Sequence, residues 1–279
     1  MRLYTDEIGV DIVLSGYTKI ISKASDMSVL QISKTNTKVE GYYVLANDIQ
    51  GATMSNALSG SSANANYRES ADVGFNGTFD GQGYTLEVAV SNATYGVFGN
   101  LLANAEVKNI GLNITMNGDA THIQAALAYT SRNAKLTNAY VKVTQNVTPT
   151  GSNTELIKSR ALNMTNVIID MTGVTYNTEL YGSFLGMENA NVDTAATQAY
   201  FLHGSVVPLW RNAKAVSANP TVYYAQNDTL PAQSGFTESN YTKEIYRYND
   251  AIALAGVTAQ VGNWAINAQT GVIAWTTEA

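Results

Sequence analysis

NAEVKNIGLNIT at 104–115, NAKLTNAYVKVT at 133–144 and ALNMTNVIIDMT at 161–172 are three versions of one segment. Laid under one another they align Asn109, Asn138 and Asn166. Val107, Leu136 and Met164 align as well, as do Ile110, Ala139 and Val167, and Leu112, Val141 and Ile169. The frame ends with Ile114, Val143 and Met171, then Thr115, Thr144 and Thr172. From 109 to 138 the step is 29 residues, and from 138 to 166 it is 28. Recurrence on this scale is the mark of a repeat architecture. Upstream, GYTLEV (83–88) fits the frame one step of 26 earlier, and downstream QAYFLH (198–203) fits after a step of 32. PTVYYAQ (220–226) reads as a last, degenerate copy.

The period inside each copy separates strand from helix. Ile110, Leu112 and Ile114 alternate with Gly111 and Asn113; Val141 with Val143, and Ile169 with Met171, repeat the alternation. A period of two is that of a half-buried strand, and the β-branched bias agrees with it. Helical repeats need apolar residues three and four apart, and the Asn, Thr and Gly content opposes them.

Strands of like sequence piled about 4.8 Å apart satisfy one another's backbone groups. The expectation is therefore an all-β solenoid with every strand running one way. In such a stack Asn109, Asn138 and Asn166 form a structural ladder, amide to amide, at a turn. The competing reading is a row of ligand-binding amides. Solenoid ends expose unpaired edges and need caps. Residues 22–33 read as a short helix with Ser22 or Ser25 as its cap and Met27 and Leu30 inward. Residues 238–255 read as a second helix, with Tyr241, Ile245, Tyr248 and Ile252 on one face and Gly256 as terminator. NWAINAQTGVIAW (263–275) reads as a hairpin. The expected organisation is an N-terminal strand and capping helix over 1–40, a body over 41–226, and a helix and hairpin cap over 227–279.

YYVLANDI (42–49), FNGTFDGQGYTL (75–86) and YGVFGNLLANAEVKNIGL (95–112) form a further series. It resembles the GLUG-motif family of β-helical surface and phage structural proteins. The likeness covers about a quarter of the chain closely and fades beyond about residue 180. It implies a right-handed parallel β-helix and brings no catalytic residue with it. Read from the residues themselves, Asp80-Gly81-Gln82-Gly83 is a tight turn in which glycines supply φ > 0 and Asp80 caps its own backbone. One carboxylate among glycines is too few for Ca²⁺, which takes six to eight oxygens.

Charged residues make up 14% of the chain, well below the roughly 25% of an ordinary soluble domain. With 16 scattered basic residues and a net charge of −6, a nucleic-acid partner is not expected. There is no cysteine, so disulfides and thiolate metal sites are excluded. No apolar run is long enough for a signal peptide or a membrane span. The expectation is either a virion part released without a signal or a segment of a longer exported chain.

Hydrolysis of a glycan needs two carboxylates across the bond. Glu106 aligns with Lys135, and Asp170 with Asn113 and Lys142, so neither has an acidic neighbour in the next copy. Asp72 with Asp80, or Asp119 with a loop partner, stays open. His122 and His203 stand far apart in sequence and read as ordinary polar residues. No catalytic, cofactor or metal site is expected, and the chain reads as a non-enzyme. Aromatics gather in the second half, and Trp210, Tyr223 and Tyr224 are the candidate contacts with a sugar or protein. The expected role is a structural and recognition component of a phage virion: a head fibre, decoration or tail-associated protein. Its expected partners are other virion proteins or copies of itself in a homo-oligomer such as a trimer, together with host-surface glycans. A module of a bacterial surface adhesin is the alternative, and a glycan-cleaving tailspike the third.

Overall fold

The computed structural model describes residues 19–31, 38–55, 73–91, 95–117, 124–131, 133–146, 148, 150–151, 154–159 and 162–175, with seven short strands beyond them. The first thirteen strands are β1 (Lys19–Ile21), β2 (Lys38–Val39), β3 (Tyr42–Leu45), β4 (Ile49–Met54), β5 (Gly74–Phe75), β6 (Thr78–Asp80), β7 (Thr85–Val90), β8 (Asn100–Leu101), β9 (Glu106–Met116), β10 (Gln124–Ser131), β11 (Ala134–Gln145), β12 (Thr154–Ser159) and β13 (Leu162–Gly173). After them come β14 (Asn191–Val192), β15 (Gln198–Leu202), β16 (Ala215–Val216), β17 (Thr221–Tyr224), β18 (Ile245–Arg247), β19 (Trp264–Ile266) and β20 (Ile273–Trp275).

The protein is all-β and its sheets are parallel apart from one hairpin. The main sheet runs β1-β3-β6-β9-β11-β13-β15-β17-β18 and the second runs β2-β5-β8-β10-β12. From β8 to β13 the chain visits the two sheets in alternation. β9 has two partners on its N-terminal side: its first residues pair with β6 and its last with β7. Between them, opposite the turn that separates β6 from β7, Asn109 takes φ 51. One strand of β9 thus does the work of two, with a left-handed residue as its bend. Asn138 repeats the bend in β11 with φ 51.

Register follows the sequence alignment closely. Val107 partners Leu136, which partners Met164; Ile110, Ala139 and Val167 follow, then Leu112, Val141 and Ile169. Thr85 and Leu86 fall opposite Gly111 and Leu112, the step of 26. Ala199 falls opposite Val167, the step of 32. At the end of β13 a shift in register breaks the frame, and Thr144 partners Gly173 rather than Thr172.

Burial repeats the alternation. Val107, Ile110, Leu112, Ile114, Leu136, Ala139, Val141 and Val143 are buried, and Lys135 and Lys142 between them are exposed. Phe98 lies 5.5 Å from Phe75 and 5.6 Å from Phe79 between ring centroids, and Tyr43 lies 5.8 Å from Phe75. Each such ring contributes roughly 1.5–3 kcal/mol on burial. In β10 and β12 the alternation is lost: Ala125, Ala126, Leu127 and Ala128 are all buried, and so are Thr154, Glu155, Leu156 and Ile157. Both faces of this stretch are covered.

The N-terminal helix is a 3₁₀ helix, Ala24–Leu30, which buries Met27 and Leu30 completely in the core. Neither Ser22 nor Ser25 caps it. Lys23 is the cap residue, and the Asp26 carboxylate reaches back to accept from the backbone N–H of Ser22 (3.0 Å) and of Lys23 (3.2 Å). Burial acts to raise the Asp26 pKa, but these donors and the charge of Lys19 outweigh it and hold the carboxyl below its ordinary value. The Gln31 amide donates to Ser55 O at 2.6 Å and ties the helix to the end of β4.

The second expected helix is corrected by the structure. Ile245–Arg247 is a strand, parallel to β17, so 220–226 is not the last copy. Ile245, Tyr248 and Ile252 fit a helical period, but Ile245-Tyr246-Arg247 equally fits a strand, and the edge of β17 supplies partners that an isolated helix lacks. The rest of 238–255 lies outside the described residues. β19 and β20 pair antiparallel, Trp264 with Trp275, as the hairpin expected at 263–275.

Candidate functional site

The aligned asparagines lead to a polar column built on the left-handed bends. Asn138 Nδ2 donates to Asn109 Oδ1 at 2.9 Å, and Asn109 Nδ2 donates to Asp80 Oδ1 at 3.1 Å. Asp80 is 4% exposed, and both of its oxygens accept further bonds. Its Oδ1 also accepts from the backbone N–H of Gln82 (3.0 Å), and its Oδ2 accepts from the Tyr42 hydroxyl (2.8 Å). The column therefore runs Tyr42, Asp80, Asn109, Asn138, with a carboxylate at its foot. Charge-assisted bonds of this kind are the stronger ones.

The register pairs Thr137 with Thr165 and Ala139 with Val167, which brings position 166 level with Asn138. The Asn166 side chain itself lies outside the described residues. Asn138 Oδ1 is buried, with no hydrogen-bond partner among the described residues. Sequence reasoning missed Asp80 as the foot of the ladder, although it stands 29 residues before Asn109, one repeat step. It also assigned positive φ to the glycines of the turn. Gln82 takes φ 53 and Gly83 takes φ 86, whereas Gly81 is needed for room: a Cβ there would stand 2.5 Å from Asn109 O and from Ile110 Cβ.

A second amide pair joins the far ends of the same strands, where Asn146 Nδ2 donates to Asn117 Oδ1 at 2.7 Å. On β11 and β13 the Tyr140 hydroxyl donates to Asp170 Oδ2 at 3.0 Å. Burial, with the Asp170 carboxylate beside it, pushes the Tyr140 phenol well above its ordinary range. Lys108 Nζ lies 3.1 Å from Glu106 Oε2 and 5.6 Å from the centre of the Tyr42 ring. Glu106 faces Thr78 and Lys135 across the sheet, and Asp170 faces Lys142 and Leu202. These four register neighbours include no acid.

Among the described residues no group of three or more His, Asp or Glu is placed to hold a metal ion, and no helix is long and apolar enough to cross a membrane. Asp72, Asp119, His122, His203 and Trp210 lie outside the described residues. Tyr223 and Tyr224 lie in β17, opposite Tyr200 and Phe201 of β15 and opposite Tyr246 and Arg247 of β18. Comparison with protein-family models, with curated proteins and with solved structures finds no match.

Proposed function

We propose that the chain is a right-handed parallel β-helix that acts without catalysis, as a structural and recognition component of a phage virion. The observation that carries this reading is the parallel, in-register pairing of β9, β11 and β13, copy on copy, with the chain passing through a second parallel sheet between them. A body so built gains length by adding copies, and each copy satisfies the backbone of the next. The polar column agrees with a structural role, since Asp80 and Asn109 spend their hydrogen-bonding groups on the chain itself. The resemblance of 42–112 to GLUG-motif proteins points the same way, toward a head fibre, decoration or tail-associated protein.

Purified particles from the phage whose genome encodes the chain test the reading directly. Peptide mass spectrometry and labelled antibody are expected to find the protein on the particle surface. Finding it only in the bacterial envelope would replace the virion by an adhesin. Release of new reducing or unsaturated ends from host glycans would overturn the non-enzymatic part.

A further inference from the structure

A second polar column stands where the chain enters the main sheet. Tyr42, Thr78 and Glu106 are register partners, so Glu40, Asn76 and Asn104, each two residues earlier, occupy matching corners of successive layers. Asn76 Nδ2 donates to Glu40 Oε1 at 3.0 Å, and the backbone N–H of Asn104 donates to Asn76 Oδ1 at 3.4 Å. The residue after Asn76 has to be glycine, because a Cβ on Gly77 would run into the backbone of Gly41. The Gly77 carbonyl accepts from the Glu106 N–H at 3.0 Å, whereas its own N–H has no hydrogen-bond partner among the described residues. Asn76 is half-buried, within reach of water.

We propose that Asn76-Gly77 is a site of spontaneous modification, at which Asn76 is converted to aspartate and isoaspartate and the corner is loosened. Asparagine is among the thermally labile residues, and here the attacking group is an unhindered glycine nitrogen with no hydrogen bond to give up. The Gly77 nitrogen bonds to Asn76 Cγ, its proton passes through water to the departing Nδ2, and ammonia leaves a five-membered succinimide. Water then adds to either ring carbonyl and opens it to aspartate or isoaspartate; no oxidant or cofactor is consumed. Nucleophile and electrophile are neighbours in one chain and need no encounter. The charge that develops on Oδ1 in the attack faces the Asn104 N–H, which is already placed to stabilise it. Conversion to aspartate reverses the contact with Glu40, because a donated hydrogen bond becomes two carboxylates face to face. Isoaspartate also lengthens the main chain by one carbon. It does so between an Asn76 N–H that donates to Val39 O (2.8 Å) and a Thr78 N–H that donates to Gly41 O (2.9 Å). The proposal is independent of the virion reading, which particle localisation decides.

The test ages the folded full chain in mildly alkaline buffer and follows it by peptide mass spectrometry, with an isoaspartyl methyltransferase to label isoaspartate. The peptide carrying Asn76 is expected to gain the mass of amide-to-acid exchange, as a mixture of aspartyl and isoaspartyl forms. Asn117-Gly118, the other Asn-Gly pair, is the internal standard, and Asn76 should convert at least as fast. Survival of the Asn76 amide while Asn117 converts would overturn the site. Aspartate with no isoaspartate would overturn the succinimide route. Asn76→Asp reproduces one product without ageing and should unfold about 2 °C below wild type. Glu40→Gln, which offers a donor where the carboxylate stood, should recover that deficit. An undiminished deficit in the double variant would overturn the loosening by paired carboxylates.

Discussion

Replacing Asn109 by alanine removes three things at once, and each has a size. Alanine at φ 51 costs about 1 kcal/mol in the left-handed region. The bond from Asn109 Nδ2 to the Asp80 carboxylate is charge-assisted and half-buried, worth about 1.5 kcal/mol at the low end of its class. The Asn138 amide loses its acceptor, which adds about 1 kcal/mol. The expected loss is therefore about 3–4 kcal/mol. Asn109→Gly removes the same bonds but not the backbone tolerance, so it should retain about 1 kcal/mol relative to alanine. Urea titration followed by circular dichroism reads both, as a lowered midpoint with an unchanged slope. A loss below 1 kcal/mol for alanine, or a glycine variant no better than alanine, would refute the ladder as a source of stability.

Gly81→Ala should destabilise by about 1–3 kcal/mol, because its Cβ meets backbone and a core side chain rather than a flexible tip; thermal unfolding of the variant checks this. Phe98→Ala should cost about 3–5 kcal/mol by opening a cavity against Phe75 and Phe79, measured as a drop in the urea midpoint. Tyr140 has a folded pKa above its unfolded one, so its contribution is complete below the ordinary phenol value of about 10 and is lost as pH rises from there toward the folded value. Tyr140→Phe should flatten that alkaline decline, and an unchanged decline would show that another group causes it.

The repeat was legible because its inward row is apolar in every copy. Leu112, Val141 and Ile169 had to coincide, and any register slip by one residue would have put them on the wrong face. Asn109 and Asn138 were legible for a different reason: few residues tolerate a left-handed bend, and asparagine in aligned copies marks one. The second sheet was not legible. β10 and β12 are covered on both faces, so QAALAYTS and TELIKS carry no alternation to find. Thr172 was misplaced because a bulge puts one extra residue into β13 just before Gly173, and that glycine, which is the sign of it, lies outside the aligned frame of 161–172. In EIYRY the apolar spacing satisfied two periods at once, and only the presence of β17 beside it decided for a strand. Asp80 escaped because the turn after it shortens the frame to a step of 26, hiding a hydrogen-bonding step of 29.

Every amide in the column donates toward the amino end: Asn138 to Asn109, Asn109 to Asp80. A ribosome releases these residues in the reverse order of donation, so the waiting oxygen is made before the NH₂ that will find it. Asp80 can settle against Tyr42 and Gln82 as soon as its own turn has emerged. Each later layer then arrives at a surface that already presents its docking point. Synthesis from the other end would offer the layers in the wrong sequence, with donors exposed and nothing yet to receive them.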